Sequence, residues 1–474
     1  MKRFVPATLI ASLLAAACAT PRDTPRVGQA TSGTLGLGTA STAINAEWWR
    51  AFGDPQLDRL IAMALAGNPS LDEALARIRV AAAQAEGERE SLKPQVTGAG
   101  QLNRARVGDK FAPPPIGGHD TNIAIALGNL SWDLDLFGRR RALVARAAAT
   151  AQAARLDAAQ ARLAVSVSLA QAYVGLARAD KLVAVTGDFV ATRRQAVGFV
   201  QSRIRNQLAS QFELRAAETL LAEAEQARTQ AVGQREVLVH AIAALAGRGA
   251  DFYPRIVSPA LALDRAPPVP ATLPADLLGR RPDLLAGRAR IDAAVQGRKA
   301  AAAAFLPDIS ISALAGLTAV GLSNVVSGGA FTYSVGPAVT LPIFEGGRLR
   351  AQYRSATADL DAAVASYNDA VLGAVREAAD AISTVRAGDR ALQDQDHIVA
   401  GLRGTVALDE VRFRNGLGSR LDAIDSGFRL LEAEQALVGF QADALTRRVQ
   451  LVAALGGGFD PVLAQGPALT DNPS

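Results

Sequence analysis

The sequence repeats itself at a fixed spacing, which restricts the chain to architectures that build one unit twice. Arg203-x-Arg205-Asn206-x-Leu208-x-Ser210 recurs as Arg412-x-Arg414-Asn415-x-Leu417-x-Ser419, and Glu223-Ala224-Glu225-Gln226-Ala227 recurs as Glu432-Ala433-Glu434-Gln435-Ala436, each 209 positions later. Each half reads as helix, two strands, long helix, turn and long returning helix. The first repeat covers residues 55–253 and the second 283–458, joined by a Pro-rich connector at 254–282 and followed by a tail at 459–474.

The 22 prolines avoid two tracts, Ile116 to Tyr253 and Ile343 to Asp460. A helix interior tolerates proline poorly, so these gaps mark where long helices can run. In the second tract Leu360, Tyr367, Ala374 and Ala381 recur every seven residues, with Val364, Val371, Ala378, Val385, Leu392 and Val399 as the partner series. The seam resumes with Leu421, Phe428, Gln435, Ala442 and Val449 against Ile424, Leu431, Val438, Leu445 and Val452. Two antiparallel helices around a turn near Arg414 to Ser419 are expected. The first, from Arg348 to Arg412, would reach on the order of 100 Å at 1.5 Å per residue. Hydrophobic residues are 49% of the chain and aromatics only 5%, so Ala, Leu and Val carry these seams and let helices approach closely. Seams alone also fit a filamentous soluble coiled coil.

Alternating residues precede each long helix. Phe331, Tyr333, Val335, Val339, Leu341 and Ile343 share one face, and Thr332, Ser334, Gly336, Ala338 and Thr340 the other. A second strand starts with Ile123, Ile125 and Leu127, then changes phase near Gly128-Asn129 to Leu130, Trp132, Leu134 and Leu136, which predicts a bulge there. Gln95 to Arg104 and Ile309 to Leu317 complete the set. Four strands cannot close a barrel, and open edges in lipid are too costly. Three subunits would supply twelve, within the range of outer-membrane barrels. A small soluble four-stranded sheet is the alternative.

Lys and Arg number 50 against 45 Asp and Glu, a balance that argues against a nucleic-acid partner. His119, His240 and His397 lie far apart, and Cys18 is the one cysteine, so zinc or Cys-His chemistry is not expected. There is no P-loop, GxSxG elbow or metal-spaced cluster; no cofactor and no catalysis are expected.

Residues 1–17 read as a signal peptide, with Lys2 and Arg3 before the short apolar run Leu9 to Leu14. The run ends in Ala15-Ala16-Ala17-Cys18, which resembles the bacterial lipoprotein box, with Ala15 where the box prefers a branched aliphatic. Cys18 is thus the expected acylation site and Ala19 resembles the outer-membrane sorting residue; a plain signal with an incidental cysteine is the alternative. Residues 18–54 form the N-terminal linker, in which Gly28 to Thr42 has a Gly-, Ser- and Thr-rich linker composition.

Ordered signatures run through the mature chain: Trp49-x-x-Phe52-x-Asp54-Pro55-x-Leu57, Trp132-x-Leu134-Asp135-Leu136-Phe137-Gly138-Arg139, Arg280-Arg281-Pro282-Asp283, Ala304-Phe305-Leu306-Pro307-x-Ile309, Leu341-Pro342-Ile343-Phe344-Glu345-Gly346-Gly347 and Ala454-Leu455-Gly456-Gly457-Gly458. In this order they resemble the TolC-type outer-membrane efflux channel family, and its OprM/NodT-like lipoprotein branch. The resemblance implies a mixed α and β membrane protein: a homotrimeric 12-stranded β-barrel, four strands per chain, continued by a periplasmic α-helical barrel. It implies localisation at the outer membrane, anchored in its lipid through Cys18, with a large periplasmic portion. It also implies partners: a periplasmic adaptor and an inner-membrane pump, of the resistance-nodulation-division type on the strength of the lipoprotein branch.

The same resemblance assigns sites. The turns carrying Arg205, Asn206, Leu208 and Ser210, and Arg414, Asn415, Gly416, Leu417 and Ser419, are the adaptor-contact tips. Gln207 stands where the second tip has Gly416, so the two tips are expected to differ. Asp422 and Asp425 match the aspartate pair of the periplasmic gate, while the first repeat has Glu213 and Ala216 there. Without the resemblance, spacing favours a plain solvated turn at the tips and the charge pattern a solvated helix face at Asp422 and Asp425. The implied function is a passive duct of a tripartite efflux system, carrying drugs or other small toxic compounds. The alternatives are the outer-membrane duct of an ATP-driven type I protein secretion system, and a periplasmic adaptor or structural coiled-coil lipoprotein.

Overall fold

The computed structural model describes residues 23–31, 45–106, 108, 110, 113, 117–263 and 277–459; the expected signal peptide, Cys18 and most of the tail lie outside them. Each repeat has two strands followed by two long helices, but two helices precede the strands in the first, where one was expected, and one in the second. The first comprises α1 (Pro55–Gly67), α2 (Pro69–Glu90), β1 (Gln95–Arg106), β2 (Asp120–Asp133), α3 (Arg139–Arg205) and α4 (Gln211–Leu245). The second comprises α5 (Pro282–Ala303), β3 (Asp308–Val320), β4 (Phe331–Thr340), α6 (Arg348–Arg414) and α7 (Arg420–Ala454). The long helices α3 and α6 are both 67 residues, and α4 and α7 both 35. Both ends of each pair stand 209 positions apart, so the sequence repeat is a structural one. Among the described residues no helix is long and apolar enough to cross a membrane.

The chain divides into two compact units, each drawing on both repeats. The first contains residues 77–154 and 286–368 with the described residues up to Gln29. Its centre is an antiparallel sheet in the order β1-β2-β3-β4. The β2–β3 ladder joins the repeats although α3 and α4 intervene in sequence.

Residues opposed across an antiparallel ladder share a face, so the registers define two faces. One carries the rows Val96–Leu130–Ala313–Val335, Gly98–Gly128–Ala315–Tyr333 and Gly100–Ala126–Leu317–Phe331. Leu102–Ala124–Ala319, Trp132–Ile311–Pro337 and Ile309–Val339 extend it. Every one of these residues is apolar or glycine. The other face carries Gln95–Ser131–Ser312–Gly336, Thr97–Asn129–Leu314–Ser334, Asp133–Ser310–Ala338 and Asp308–Thr340. The apolar face is exposed: Tyr333 and Val335 are 73% and 70% accessible. An apolar surface of this extent requires a cover that the described residues do not supply.

The expected bulge at Gly128-Asn129 is absent. The β1–β2 ladder runs without interruption from Gln95↔Ser131 to Arg106↔Asp120, through Gly98↔Gly128 and Thr97↔Asn129. Ile123, Ile125 and Leu127 instead lie on the mixed face, opposite Leu130 and Trp132. The upper part of the apolar face is built from Ala124, Ala126 and Gly128, whose small side chains concealed the alternation.

Residues 23–28 pack on the first unit instead of running as a free linker. The Asp361 carboxylate accepts the backbone N–H groups of Arg26 (2.8 Å) and Val27 (3.1 Å), and the Asn368 amide donates to the Gly28 carbonyl (2.8 Å).

The second unit holds the main core, in which Leu57, Ile61, Leu169, Tyr173, Leu176, Ile242 and Leu445 are essentially inaccessible. Asp54 explains the first signature. It caps α1, its Oδ1 accepting the Gln56 N–H (2.8 Å), with Pro55 in the first turn where no donor is needed. Its Oδ2 accepts the Tyr173 hydroxyl (2.7 Å) and the Ala260 N–H (2.9 Å). The Gln56 amide donates to Tyr173 Oη (2.9 Å) and the Val257 carbonyl (2.9 Å), and accepts the Val257 N–H (3.0 Å). One polar knot therefore joins α1, α3 and the connector. Burial, with the Asp54 carboxylate beside it, pushes the Tyr173 phenol well above its ordinary range.

Arg281 explains the third signature. Its guanidinium donates to Asp283 (2.7 Å), Glu377 (2.8 Å) and the Ala454 carbonyl (3.1 Å). Burial opposes its charge, but the two carboxylates prevail and hold its pKa above the usual range. The closing glycines lie against this region: a Cβ at Gly456 would strike the Arg280 carbonyl, and one at Gly458 the Asn45 carbonyl.

Candidate functional site at the helix-hairpin tips

Both hairpin turns of the second unit have one geometry. In the first, the Gln207 N–H donates to the Ile204 carbonyl (2.9 Å) and the Leu208 N–H to the Arg203 carbonyl (2.8 Å). In the second, the Gly416 N–H donates to Phe413 (3.0 Å) and the Leu417 N–H to Arg412 (2.8 Å). This bonding ends a helix on a left-handed residue. The Asn206 and Asn415 amides each donate to the carbonyl four residues back, Ser202 (2.8 Å) and Val411 (2.9 Å). Leu208 and Leu417 project at the apices, 66% and 72% accessible. The Gln207 departure therefore changes the residue but not the fold of the turn.

The returning helices start with matching capping boxes. The Ser210 N–H donates to Glu213 Oε2 (2.6 Å) and the Glu213 N–H to Ser210 Oγ (3.3 Å). The Ser419 N–H donates to Asp422 Oδ2 (3.0 Å) and the Asp422 N–H to Ser419 Oγ (3.1 Å). Ser at the cap with an acid three residues on satisfies two of the amides left open at a helix start. The bond from the Ser419 backbone, then its hydroxyl, holds the Asp422 carboxyl below the ordinary carboxylate range, and Ser210 does the same to Glu213. Asp422 is thus a capping acid, and its counterpart is Glu213.

Asp425, one turn further on, is exposed. It acts electrostatically on Arg193 of α3, whose guanidinium carbon lies 3.3 Å above the Phe428 ring. Phe428 stacks on Phe189 at 6.4 Å between centroids and is buried with Ala196 and Ile424. Burial lowers the Arg193 pKa, while Asp425, Glu432 and Glu223 oppose that shift. The sequence marks Phe428 as a seam residue, but nothing in the local pattern marks Arg193 as its partner. Arg203 braces the first tip, donating to the Leu208 carbonyl (2.8 Å). Arg420 braces the second, paired with Glu410 (2.7 Å) and 5.5 Å from the Phe413 centroid.

The outer membrane efflux protein family model matches residues 60–248 and 273–457, one match per repeat. The fusaric acid resistance protein FusA of Burkholderia cepacia is 36% identical over 368 residues, covering 74% of this chain and 69% of that protein. The toluene efflux pump outer membrane protein TtgC of Pseudomonas putida is 31% identical over 426 residues, covering 89% and 87%. The crystal structure of the outer membrane protein VceC of Vibrio cholerae superimposes with a TM-score of 0.81 at 30% identity, covering 88% of this chain and all of that one.

These matches explain the exposed apolar face, which is the lipid-facing wall of a barrel completed by other subunits, and the mixed face, which lines its lumen. The family is a transport component that works with an adaptor and an inner-membrane pump; it is not an enzyme. The chain belongs to the outer membrane efflux protein family, the trimeric outer-membrane channels of efflux systems.

Proposed function

We propose that this channel discharges small toxic organic compounds delivered by a proton-driven pump of the resistance-nodulation-division type through its periplasmic adaptor. The observation that carries this reading is the lumenal face of the sheet. Its side chains are mostly neutral: Thr97, Asn129, Ser131, Ser310, Ser312 and Ser334 alternate along the rows with Ile123, Ile125, Leu127 and Leu314. Such a wall wets the duct without binding cargo tightly, so selectivity lies upstream. FusA and TtgC are named for fusaric acid resistance and toluene efflux, which points to weak organic acids and aromatic solvents. Deletion of the gene should sensitise cells to a panel of such compounds and the intact gene should restore resistance. Unchanged sensitivity together with loss of a secreted polypeptide would favour the type I secretion duct instead.

The tips at Arg205, Asn206, Leu208 and Ser210, and at Arg414, Asn415, Gly416, Leu417 and Ser419, are the adaptor-docking surface in this reading. The exposed leucines supply apolar contact and the shared turn geometry offers the adaptor two similar footholds. Asp422 and Asp425 form the gate, with Asp425 as the acid directed at a neighbouring helix.

Cys18 is the lipid anchor in the same reading. The Asp23 carbonyl accepts from Arg298 (3.0 Å) and the Tyr353 hydroxyl (3.4 Å), beside the first turns of α6, which follows β4. Five residues at about 3.4 Å each give Cys18 a reach of about 17 Å from that point, enough for an acyl chain to enter the adjacent leaflet. Cys18→Ser should abolish incorporation of labelled palmitate; persistent labelling would remove the assignment.

A further inference from the structure

The lipid-facing wall of the sheet carries positive charge in one place. The four strands contain two cations, Arg104 and Arg106, both near the end of β1 remote from the helices. They alternate in step with Val96, Gly98, Gly100 and Leu102, so both belong to the face that meets lipid. An ion pair supports this placement. Asp120 opposes Arg106 in the ladder, and its contact with Arg104 at 3.8 Å is the diagonal one between neighbours on a single face.

Strand geometry gives their height in the membrane. Trp132 marks the edge of the apolar face nearest the helices, where its indole N–H donates to the Leu92 carbonyl (3.0 Å). From there the face runs through Leu130, Gly128, Ala126 and Ala124 to Asn122, which opposes Arg104. Ten residue steps separate Trp132 from Asn122; at about 3.4 Å each and a tilt of about 40° they rise about 26 Å. The apolar band of an outer-membrane barrel is about 25 Å tall. Arg104 therefore stands at the outer edge of the hydrocarbon, and Arg106 about 5 Å beyond it. Phe331 and Tyr333, 6.1 Å apart between ring centroids, lie on the same face at the corresponding end of β4 and supply the outer aromatic girdle.

Asp120 does not neutralise these cations. Its contact with Arg104 is long and the two side chains are 76% and 54% accessible for arginine and aspartate respectively, so the pair is weak. Arg106 is exposed as well. We infer that Arg104 and Arg106 bind the phosphate groups of the glycolipid that forms the outer leaflet, each copy of the trimer contributing one such site. Long arginine side chains lie along an apolar wall and hold their charge at the level of the headgroups. There a guanidinium donates two parallel N–H bonds to one phosphate, which an ammonium does not reproduce. An anion in the lumen is not the ligand, because both side chains stand on the face opposite Thr97, Gln101 and Asn103.

The inference rests on the membrane-spanning barrel and not on the cargo or the pump. Purified full-length trimers in detergent are titrated with diphosphorylated lipid A, with its dephosphorylated form and with inorganic phosphate. The diphosphorylated form should bind saturably, at least about tenfold more tightly than the dephosphorylated one, and millimolar inorganic phosphate should not displace it. Arg104→Gln with Arg106→Gln should weaken binding by at least about tenfold, the loss expected for hydrogen bonds to a charged group. Asp120→Asn removes the carboxylate that competes for Arg104 and should tighten binding by about twofold or more. Should the double variant fail to migrate as a trimer when unboiled, Arg106→Gln alone and Asp120→Asn carry the test through their opposite signs. Equal affinity for the two lipid A forms overturns the inference, as do unchanged binding in the arginine variants, weaker binding in Asp120→Asn, or displacement by inorganic phosphate. Trimers of the double variant that dissociate at lower temperature but bind lipid A as before would assign the arginines to contact between copies instead.

Discussion

Gln207 and Gly416 occupy equivalent apices and share a left-handed backbone, with φ of 60° and 71°. Glycine adopts that region at little cost, whereas a residue with a Cβ is strained by roughly 1–2 kcal/mol. Gln207→Gly should therefore raise the thermal midpoint of the purified trimer, and Gly416→Ala should lower it by a comparable amount. Scanning fluorimetry of the three proteins side by side makes the comparison; equal midpoints would show that neither turn limits stability.

The Asp54–Tyr173 bond is buried. Tyr173→Phe should destabilise by about 1–3 kcal/mol, because Asp54 Oδ2 and the Gln56 amide each lose a partner. Asp54→Ala should cost more, since it also removes the α1 cap. Trimer yield and heat resistance on unboiled gels should fall in the order wild type, Tyr173→Phe, Asp54→Ala.

Cap and gate can be separated at Asp422 and Asp425. In planar bilayers Asp425→Ala should raise conductance and weaken cation selectivity, and Asp422→Ala with Asp425→Ala should do so further. Unchanged currents in both would remove the gate assignment. Asp422→Ala alone should loosen the first turn of α7 whatever it does to the current.

The caps also set a pH dependence. Asp422 and Glu213 have lowered pKa values in the folded chain, so their contribution is present above the unfolded values of about 3.9 and 4.3 and is lost as pH falls through the lower folded ones. Amide protection in the first turns of α4 and α7 should be constant from neutral pH to about 5 and fall below about 4. Loss of protection near pH 6 would contradict the cap assignment.

Gly458 has φ of 73° and lies against the Asn45 carbonyl. Gly458→Ala combines backbone strain with overpacking and should cost at least about 2 kcal/mol. A lowered trimer yield with unaltered export of the precursor is the expected result.

The repeat, the proline gaps and the heptad seams were sufficient to locate α3, α4, α6 and α7. Each depends on local rules: helix period, proline geometry and the capping sequence Ser-x-x-acid. Seam residues such as Val371, Ala378, Val385 and Leu445 are buried as their spacing requires. The signatures were legible as markers of the family, but their physical role was not. That Asp54 reaches Tyr173, or Arg281 reaches Glu377, depends on contacts between positions 119 and 96 residues apart, which no local pattern encodes.

The sheet shows the same division. Large side chains suggested that Ile123, Ile125 and Leu127 continued one apolar face with Leu130 and Trp132 through a bulge. Pairing with β1 and β3 puts them on opposite faces, because a wall facing lipid accepts Ala and Gly as readily as Leu, whereas periodicity is read from bulk. The sequence by itself determined the two strands and the long hairpin of each repeat and where that hairpin turns, since these follow from interactions a few residues long, although it showed one helix before the strands of the first repeat where there are two. Only the tertiary structure decided which face of the sheet carries the continuous apolar rows and that Arg193 sits on Phe428, since each depends on which distant segments share a ladder or a groove.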